Sequence, residues 1–169
     1  MRLFLSVLAS AFCLSTFAAY AQVRNTGFDL TAALAVEAAS EAVRSCEASG
    51  YKVSVAVVDP SGELKAFIKG DHSTTHTKET AFRKAYTEVT LGPIFAFDAT
   101  SVWVEKMKGN PLTASFLTVP NVILLPGAVA IKAKGEIIAA IGVGGAPGGE
   151  KDEACAAAGY AKIKDRLPQ

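Results

Sequence analysis

The fold is decided by one stretch of the sequence, residues 127–143, which reads GAVAIKAKGEIIAAIGV. Its β-branched and small apolar residues predict two strands, 128–133 and 136–143, with Lys134 and Gly135 left between them as a tight turn. Two strands joined by a tight turn are antiparallel, because parallel strands need a longer crossover connection. The stretch therefore excludes a parallel dinucleotide-binding sheet.

The remaining elements follow from hydrophobic periodicity and from turn residues. Strands over 52–59 and 63–69 flank a turn with the sequence DPSG and predict a second hairpin. A further strand is predicted over 121–125. Helices are predicted over residues 31–49, 75–90, 101–108 and 150–167. The expected fold class is α+β, with a five-stranded antiparallel sheet flanked by helices.

The first 21 residues have the features of a secretory signal peptide. Arg2 precedes an apolar run that extends to Ala19, and the sequence AYA at 19–21 has the small-x-small form of a cleavage site. A retained transmembrane helix is disfavoured, because the run barely reaches the lower limit of about 17 residues. We therefore expect one domain over residues 22–169, in the periplasm or secreted, with no integral membrane segment after processing.

The charge balance disfavours two classes of partner. The chain has 17 Lys and Arg against 16 Asp and Glu, and the predicted signal peptide contains Arg2 and no acidic residue, so the mature protein is neutral. Nucleic acids and anionic membranes are bound mainly by clustered basic side chains. We expect neither as a partner.

Two cysteines remain after the predicted cleavage, Cys46 and Cys155. In an oxidising compartment they can form a disulfide. The alternative is that both are small buried hydrophobic residues. The sequence leaves both possibilities open.

The only two histidines lie four residues apart, at His72 and His76. A helix that begins near residue 75 places His76, Thr80 and Lys84 on one face. Imidazole is well suited to bind haem iron or another metal at neutral pH. We therefore predict His76, and second His72, as metal ligands, with Thr80 beside them and with Arg83 or Lys84 available for haem propionates.

Plainer interpretations of the histidines stay open. His72 can be a surface loop residue, and His76 can simply begin a helix. A zinc site is disfavoured, because zinc needs three or four protein ligands and only Asp71 and Glu79 stand nearby.

A glycine-rich stretch, GVGGAPGG at 142–149, joins a predicted strand to a predicted helix. Its spacing differs from G-x-G-x-x-G, so we do not predict a dinucleotide site. Amides at Gly144 and Gly145 are candidates to bind a carboxylate such as a haem propionate, and a plain flexible loop is the alternative. The sequence contains no G-x-S-x-G motif and no evident carboxylate pair, so no catalytic residue is predicted.

Spaced motifs along nearly all of the mature chain form a recognisable pattern. They are VAVVD at 55–59, KAxT at 84–87, PG at 126–127, AIGV at 140–143 and DExCAxAG at 152–159. This pattern resembles the GlcG/HbpS family of haem-binding proteins. The chain departs from the common family pattern at Ala128, where glycine is usual, and at Gly144, where serine is usual.

The resemblance implies a profilin-like domain that binds haem or iron and assembles into homo-oligomers, as dimers or larger species. The leading hypothesis is an extracytoplasmic haem-binding protein that sequesters or relays haem or iron. Two alternatives are an enzyme that acts on a small organic acid and a non-catalytic oligomeric accessory or sensor domain.

Overall fold

The structure, a computed structural model, describes residues 27–169, so the predicted signal peptide lies outside the described residues. Ten elements follow one another along this part of the chain. They are α1 (Ala32–Ala48), β1 (Ser54–Val58), β2 (Leu64–Lys69), α2 (Thr77–Phe95), α3 (Thr100–Met107), α4 (Thr113–Phe116), β3 (Ala128–Ala133), β4 (Glu136–Gly144), α5 (Gly149–Ile163) and a 3₁₀ turn (Lys164–Arg166).

The sheet has four strands in the order β2-β1-β4-β3, and every neighbouring pair is antiparallel. The predicted α+β class and both predicted hairpins are therefore confirmed. The prediction of five strands is wrong. A profilin-like arrangement stays a prediction.

The expected strand over 121–125 is irregular backbone that lies against α2. The Ile123 N–H donates to the Thr87 hydroxyl over 2.9 Å, and the Arg83 guanidinium donates to the Val122 carbonyl over 2.7 Å. Helix side chains therefore take the backbone groups that a strand would use in a ladder. Alternating hydrophobicity cannot reveal such partners.

The outer edge of β3 is covered by the chain that follows α2. The Ala130 N–H donates to the Asp98 carbonyl over 2.9 Å, and Ala99 forms an isolated antiparallel bridge with Val129. This short contact occupies part of the edge that a fifth strand would otherwise extend.

Helices cover both faces of the sheet. Helices α1 and α5 pack on one face through the main apolar core, which includes Val55, Val57 and Ile141. Helix α2 packs on the other face, where the core includes Val58 and Ala140. All residues of β1 are buried, because both of its faces are covered. Within residues 27–169, no helix is both long and apolar enough to cross a bilayer.

Helix α2 lies unusually close to the sheet because β4 presents glycines to it. A Cβ added at Gly142 would lie 2.3 Å from the Ala81 carbonyl oxygen, and one added at Gly144 would lie 2.5 Å from the Thr80 hydroxyl. A side chain at either position would push the helix away from the sheet. This close contact fixes where the polar face of α2 can point.

Helix α2 also continues past the predicted end at residue 90. It includes Pro93 and ends at Phe95, and the next residue, Ala96, has a left-handed φ of 52°. The added turn carries Phe95 to the indole of Trp103, with ring centroids 5.4 Å apart. Aromatic packing therefore outweighs the helix-breaking signal of the glycine and proline in this turn.

Cys46 of α1 and Cys155 of α5 form a disulfide, with Cα atoms 5.5 Å apart and a sequence separation of 109. Both residues are buried. The bond ties the two helices on the same face of the sheet, and it settles the choice that the sequence leaves open.

We expect replacement of both cysteines by alanine to lower the free energy of unfolding by about 4–5 kcal/mol, because the open chain gains loop entropy in the unfolded state. Urea unfolding of the oxidised wild type, the reduced wild type and the double variant measures this loss. Equal stability of all three would contradict a disulfide in the folded protein.

Glu88 places a carboxyl group on the buried face of α2. Neither of its oxygens has a hydrogen-bond partner among residues 27–169. Burial, with smaller contributions from Asp98 and Glu153, raises the pKa of Glu88 to about 9. The side chain is therefore protonated in the folded protein at neutral pH.

The unfolded chain releases the Glu88 proton near pH 4.5, whereas the folded protein keeps it up to about pH 9. The free energy of unfolding therefore falls as pH rises between these values. We expect the free energy of unfolding of Glu88→Gln to rise relative to that of the wild type by roughly 1–4 kcal/mol as pH increases from 5 to 8.

Urea unfolding at both pH values tests this expectation. The matched control is Glu79→Gln, which changes an exposed carboxyl group on the same helix. A stability difference between Glu88→Gln and the wild type that does not change with pH would show that Glu88 is ionised in the folded protein.

Candidate functional site

A cavity of about 210 Å³ lies between the first half of α2, the chain just before β3 and the start of α5. We call residues 145–148, which connect β4 to α5, the glycine loop. The cavity is lined by His76, Thr80, Lys84, Leu125, Pro126, Gly145, Ala146, Gly149 and Asp152.

One face of α2 supplies the polar side of the cavity. His76, Thr80 and Lys84 follow one another at intervals of four residues and all line it. The face predicted from the helical period is therefore present, although His76 stands immediately before the first helical residue, Thr77.

The buried end of the cavity is an ion pair between α2 and α5. Lys84 Nζ lies 2.7 Å from Asp152 Oδ2 and donates to the Val143 carbonyl over 3.0 Å. Lys84 is 4% exposed and Asp152 is 2% exposed. Buried charges of this kind persist only when they are paired and hydrogen-bonded, and here both conditions hold.

Asp152 also holds the glycine loop. Its Oδ1 accepts a hydrogen bond from the Ala146 N–H over 2.9 Å, and the Gly145 N–H contributes a further bond. Burial raises the pKa of the Asp152 carboxyl, and Lys84 and the two amides act in the opposite direction. Of the two amides that the sequence offered to a haem propionate, that of Gly145 is thus already bonded to a carboxylate of the chain itself.

Gly127 makes room for this ion pair. A Cβ built at Gly127 would lie 2.7 Å from Lys84 Nζ and 2.9 Å from Asp152 Cβ, and the residue has a φ of 128°. Both the contacts and the backbone conformation require glycine. Gly127, in the PG sequence at 126–127, therefore leaves the space in which the ion pair forms.

The two histidines occupy different environments. His76 borders the cavity, and its Nδ1 lies 3.3 Å from the Thr74 hydroxyl. Both rings are exposed, but His72 does not line the cavity, and it has a positive φ of 63°. Only His76 is therefore placed to contact a molecule in the cavity.

A buried hydroxyl cluster anchors the segment that carries His76. The Ser54 hydroxyl of β1 lies 3.1 Å from the Ser73 hydroxyl and 2.8 Å from the Thr77 hydroxyl. The Thr77 hydroxyl also donates to the Thr74 carbonyl over 2.6 Å. These bonds fix the loop on both sides of His76 to the start of β1, an inner strand of the sheet.

Two other predicted residues lie away from the cavity. Arg83 is turned toward the chain at Val122, as described above, and Gly144 is buried beneath α2. Gly145 does line the cavity. The absence of a side chain at Gly144 is therefore explained by helix packing and not by contact with a ligand.

Four residues of the site were not predicted from the sequence: Asp152, Gly127, Leu125 and Pro126. In the sequence, Asp152 stands out only as the first residue of the motif at 152–159. Its motif, DExCAxAG, carried the available signal, but pairing with Lys84 across 68 positions cannot be deduced from spacing. In the described part of the chain, no three His, Cys, Asp or Glu side chains group as a metal site requires.

We expect Lys84→Met to lower the free energy of unfolding by about 3–5 kcal/mol, because it leaves the Asp152 carboxylate buried without its partner. Lys84→Met combined with Asp152→Asn removes both charges and should lose less than Lys84→Met alone. Urea unfolding of the two single variants and the double variant gives the coupling energy. Additive losses would contradict a direct interaction between the two side chains.

Comparison with known proteins identifies relatives of similar length and fold. The chain is 35% identical to HbpS, with a TM-score of 0.73. This match covers 85% of this chain and 96% of that one. It is 33% identical to a double mutant of HbpS from Streptomyces reticuli, with a TM-score of 0.72, and the match covers 92% of this chain and 97% of that one.

A more distant structure is PduOC, crystallised in complex with haem. It is 22% identical, with a TM-score of 0.71 over 80% of this chain and 96% of that one, and it shows similarity of fold. No curated protein matches the sequence. The family model described as "Haem degrading protein HbpS-like" matches residues 30–161, and the chain therefore belongs to the HbpS-like family.

Proposed function

We propose that this protein binds haem at the mouth of the cavity, with His76 as a ligand to the iron. The position of His76 carries the proposal. Its Nδ1 is within reach of the Thr74 hydroxyl, and its other ring nitrogen has no hydrogen-bond partner among the described residues. A ring whose Nδ1 donates to an oxygen presents the lone pair of Nε2 to a metal.

The walls of the cavity suit the edge of a porphyrin. Leu125, Pro126 and Ala146 supply apolar surface beside His76. The volume of about 210 Å³ is below the roughly 300–1,000 Å³ of pockets that enclose drug-sized ligands. We therefore place the macrocycle across the mouth and not inside. If haem binds here, His76 would hold its iron, and the haem would supply the iron chemistry of the site.

The structure changes the expected role of the two cations. Arg83 donates to the Val122 carbonyl, and Lys84 is paired with Asp152. Arg83 is turned away from the cavity, and Lys84 lies at its buried end, which the propionates of a porphyrin across the mouth do not reach. In this proposal the propionates extend into solvent, and His76 together with the apolar walls provides most of the affinity.

The proposal extends to cellular context. Disulfides persist in oxidising compartments, so the bond between Cys46 and Cys155 supports an extracytoplasmic protein that sequesters or relays haem. The chain just before the cavity residue Leu125 exposes three apolar side chains, Leu112, Leu117 and Val119. Exposed apolar surface of this kind supports association of copies into a homo-oligomer.

We expect haem titration of the wild-type protein to give a Soret band, and His76→Ala to weaken haem binding by roughly tenfold or more, equivalent to about 1.4 kcal/mol. His72→Ala should bind as the wild type does, because His72 stands outside the cavity. Absorption spectra and titration curves of the three proteins provide the measurement.

The pair of histidine variants is a matched comparison, because each removes one imidazole from the same segment. An unchanged spectrum and affinity in His76→Ala would eliminate His76 as the ligand. Absence of any Soret band in the wild type would eliminate the haem site itself.

A further inference from the structure

The buried end of the cavity carries polar groups that a porphyrin lying across the mouth does not reach. The ion pair of Lys84 and Asp152 forms this end, and Thr80 stands between the pair and His76 on the face of α2. Ligand sites combine apolar walls with a few converging polar groups, and this cavity has both on a smaller scale.

We propose that this inner end of the cavity binds a small monocarboxylic acid, at a position deeper than the proposed haem site and without a need for bound haem. The volume of about 210 Å³ admits a molecule of a few carbon atoms and excludes a macrocycle. Lys84 has a hydrogen-bond donor left for a carboxylate. An ammonium group has three N–H donors, and the Val143 carbonyl and Asp152 engage two of those of Lys84.

The charges around the inner end also allow an anion to bind. Lys84 and Asp152 neutralise each other, and the glycine-loop amides also bond to Asp152, so the inner end carries no net negative charge. Gly149, the first residue of α5, lines the cavity, and the positive end of a helix dipole favours an anion there. Glu150 is exposed and does not line the cavity.

Thr80 adds a feature that selects among small acids. Its hydroxyl lies within donating distance of the His76 and Thr77 carbonyls, at 3.2 and 3.3 Å. Its oxygen therefore keeps lone pairs for a donor group on the ligand. An acid with a hydroxyl group beside the carboxylate can use both Lys84 and Thr80, whereas acetate can use only Lys84.

The test uses the haem-free mature protein and three probes: acetate, pyruvate and lactate. Saturation-transfer NMR detects binding, and calorimetric titration measures affinity. We expect saturable binding, with lactate tighter than acetate by roughly 2–10-fold, as one additional neutral hydrogen bond provides. Thr80→Val should remove this preference. Lys78→Met, an exposed lysine on the same helix, is the control and should bind as the wild type does.

The decisive variant combines Lys84→Met with Asp152→Asn, so that no single buried charge remains. We expect it to weaken binding of all three acids by roughly tenfold or more, since a charged donor is lost. Circular dichroism establishes whether this variant folds. If it does not fold, Thr80→Val decides, and unchanged selectivity in that variant overturns the proposal.

Two further results overturn the proposal: no saturable binding of any of the three acids to the wild type, or unchanged affinity in the folded double variant. Haem titration of the same proteins keeps the two sites distinguishable. Acid binding without a Soret band removes only the haem site. A Soret band without acid binding removes only the inner site.

Discussion

The buried ion pair between Lys84 and Asp152 is the constraint on which the candidate site depends. Either charge alone would be expensive to bury, and the pair is stable only because its remaining donors and acceptors are also satisfied. Those additional bonds reach the Val143 carbonyl and the Ala146 amide. One interaction therefore sets the relative positions of α2, the end of β4, the glycine loop and α5, which are the elements that border the cavity.

The ion pair forms only because the surrounding backbone approaches closely. Gly142 and Gly144 let α2 lie directly on β4, and Gly127 leaves space for the ammonium group of Lys84. The three glycines serve this purpose by different means. The first two remove side-chain volume between a helix and a sheet, whereas Gly127 also adopts a φ of 128° that other residues rarely reach. Small residues at these positions thus determine where the polar groups meet.

The sequence predicts those features that depend on local pattern. The hairpin of β3 and β4, the bounds of α1 and α3, and the shared face of His76, Thr80 and Lys84 all follow from periodicity and turn chemistry. The features that failed depend on contacts between distant parts of the chain. Helix side chains hold residues 121–125 as irregular backbone, and neither the partner of Asp152 nor the burial of Glu88 is visible in local spacing.

Helix α5 links the stability of the domain to the shape of the site. Asp152 and Cys155 stand three residues apart, so they lie on neighbouring parts of one helical surface. Cys155 ties the helix to α1, while Asp152, one turn earlier, ties its start to α2. Because the disulfide fixes the helix that carries Asp152, the carboxylate is held in place before any ligand arrives. A ligand that meets a preformed site loses less affinity to ordering the protein. The disulfide on one face of the sheet therefore supports binding in the cavity at the end of β4.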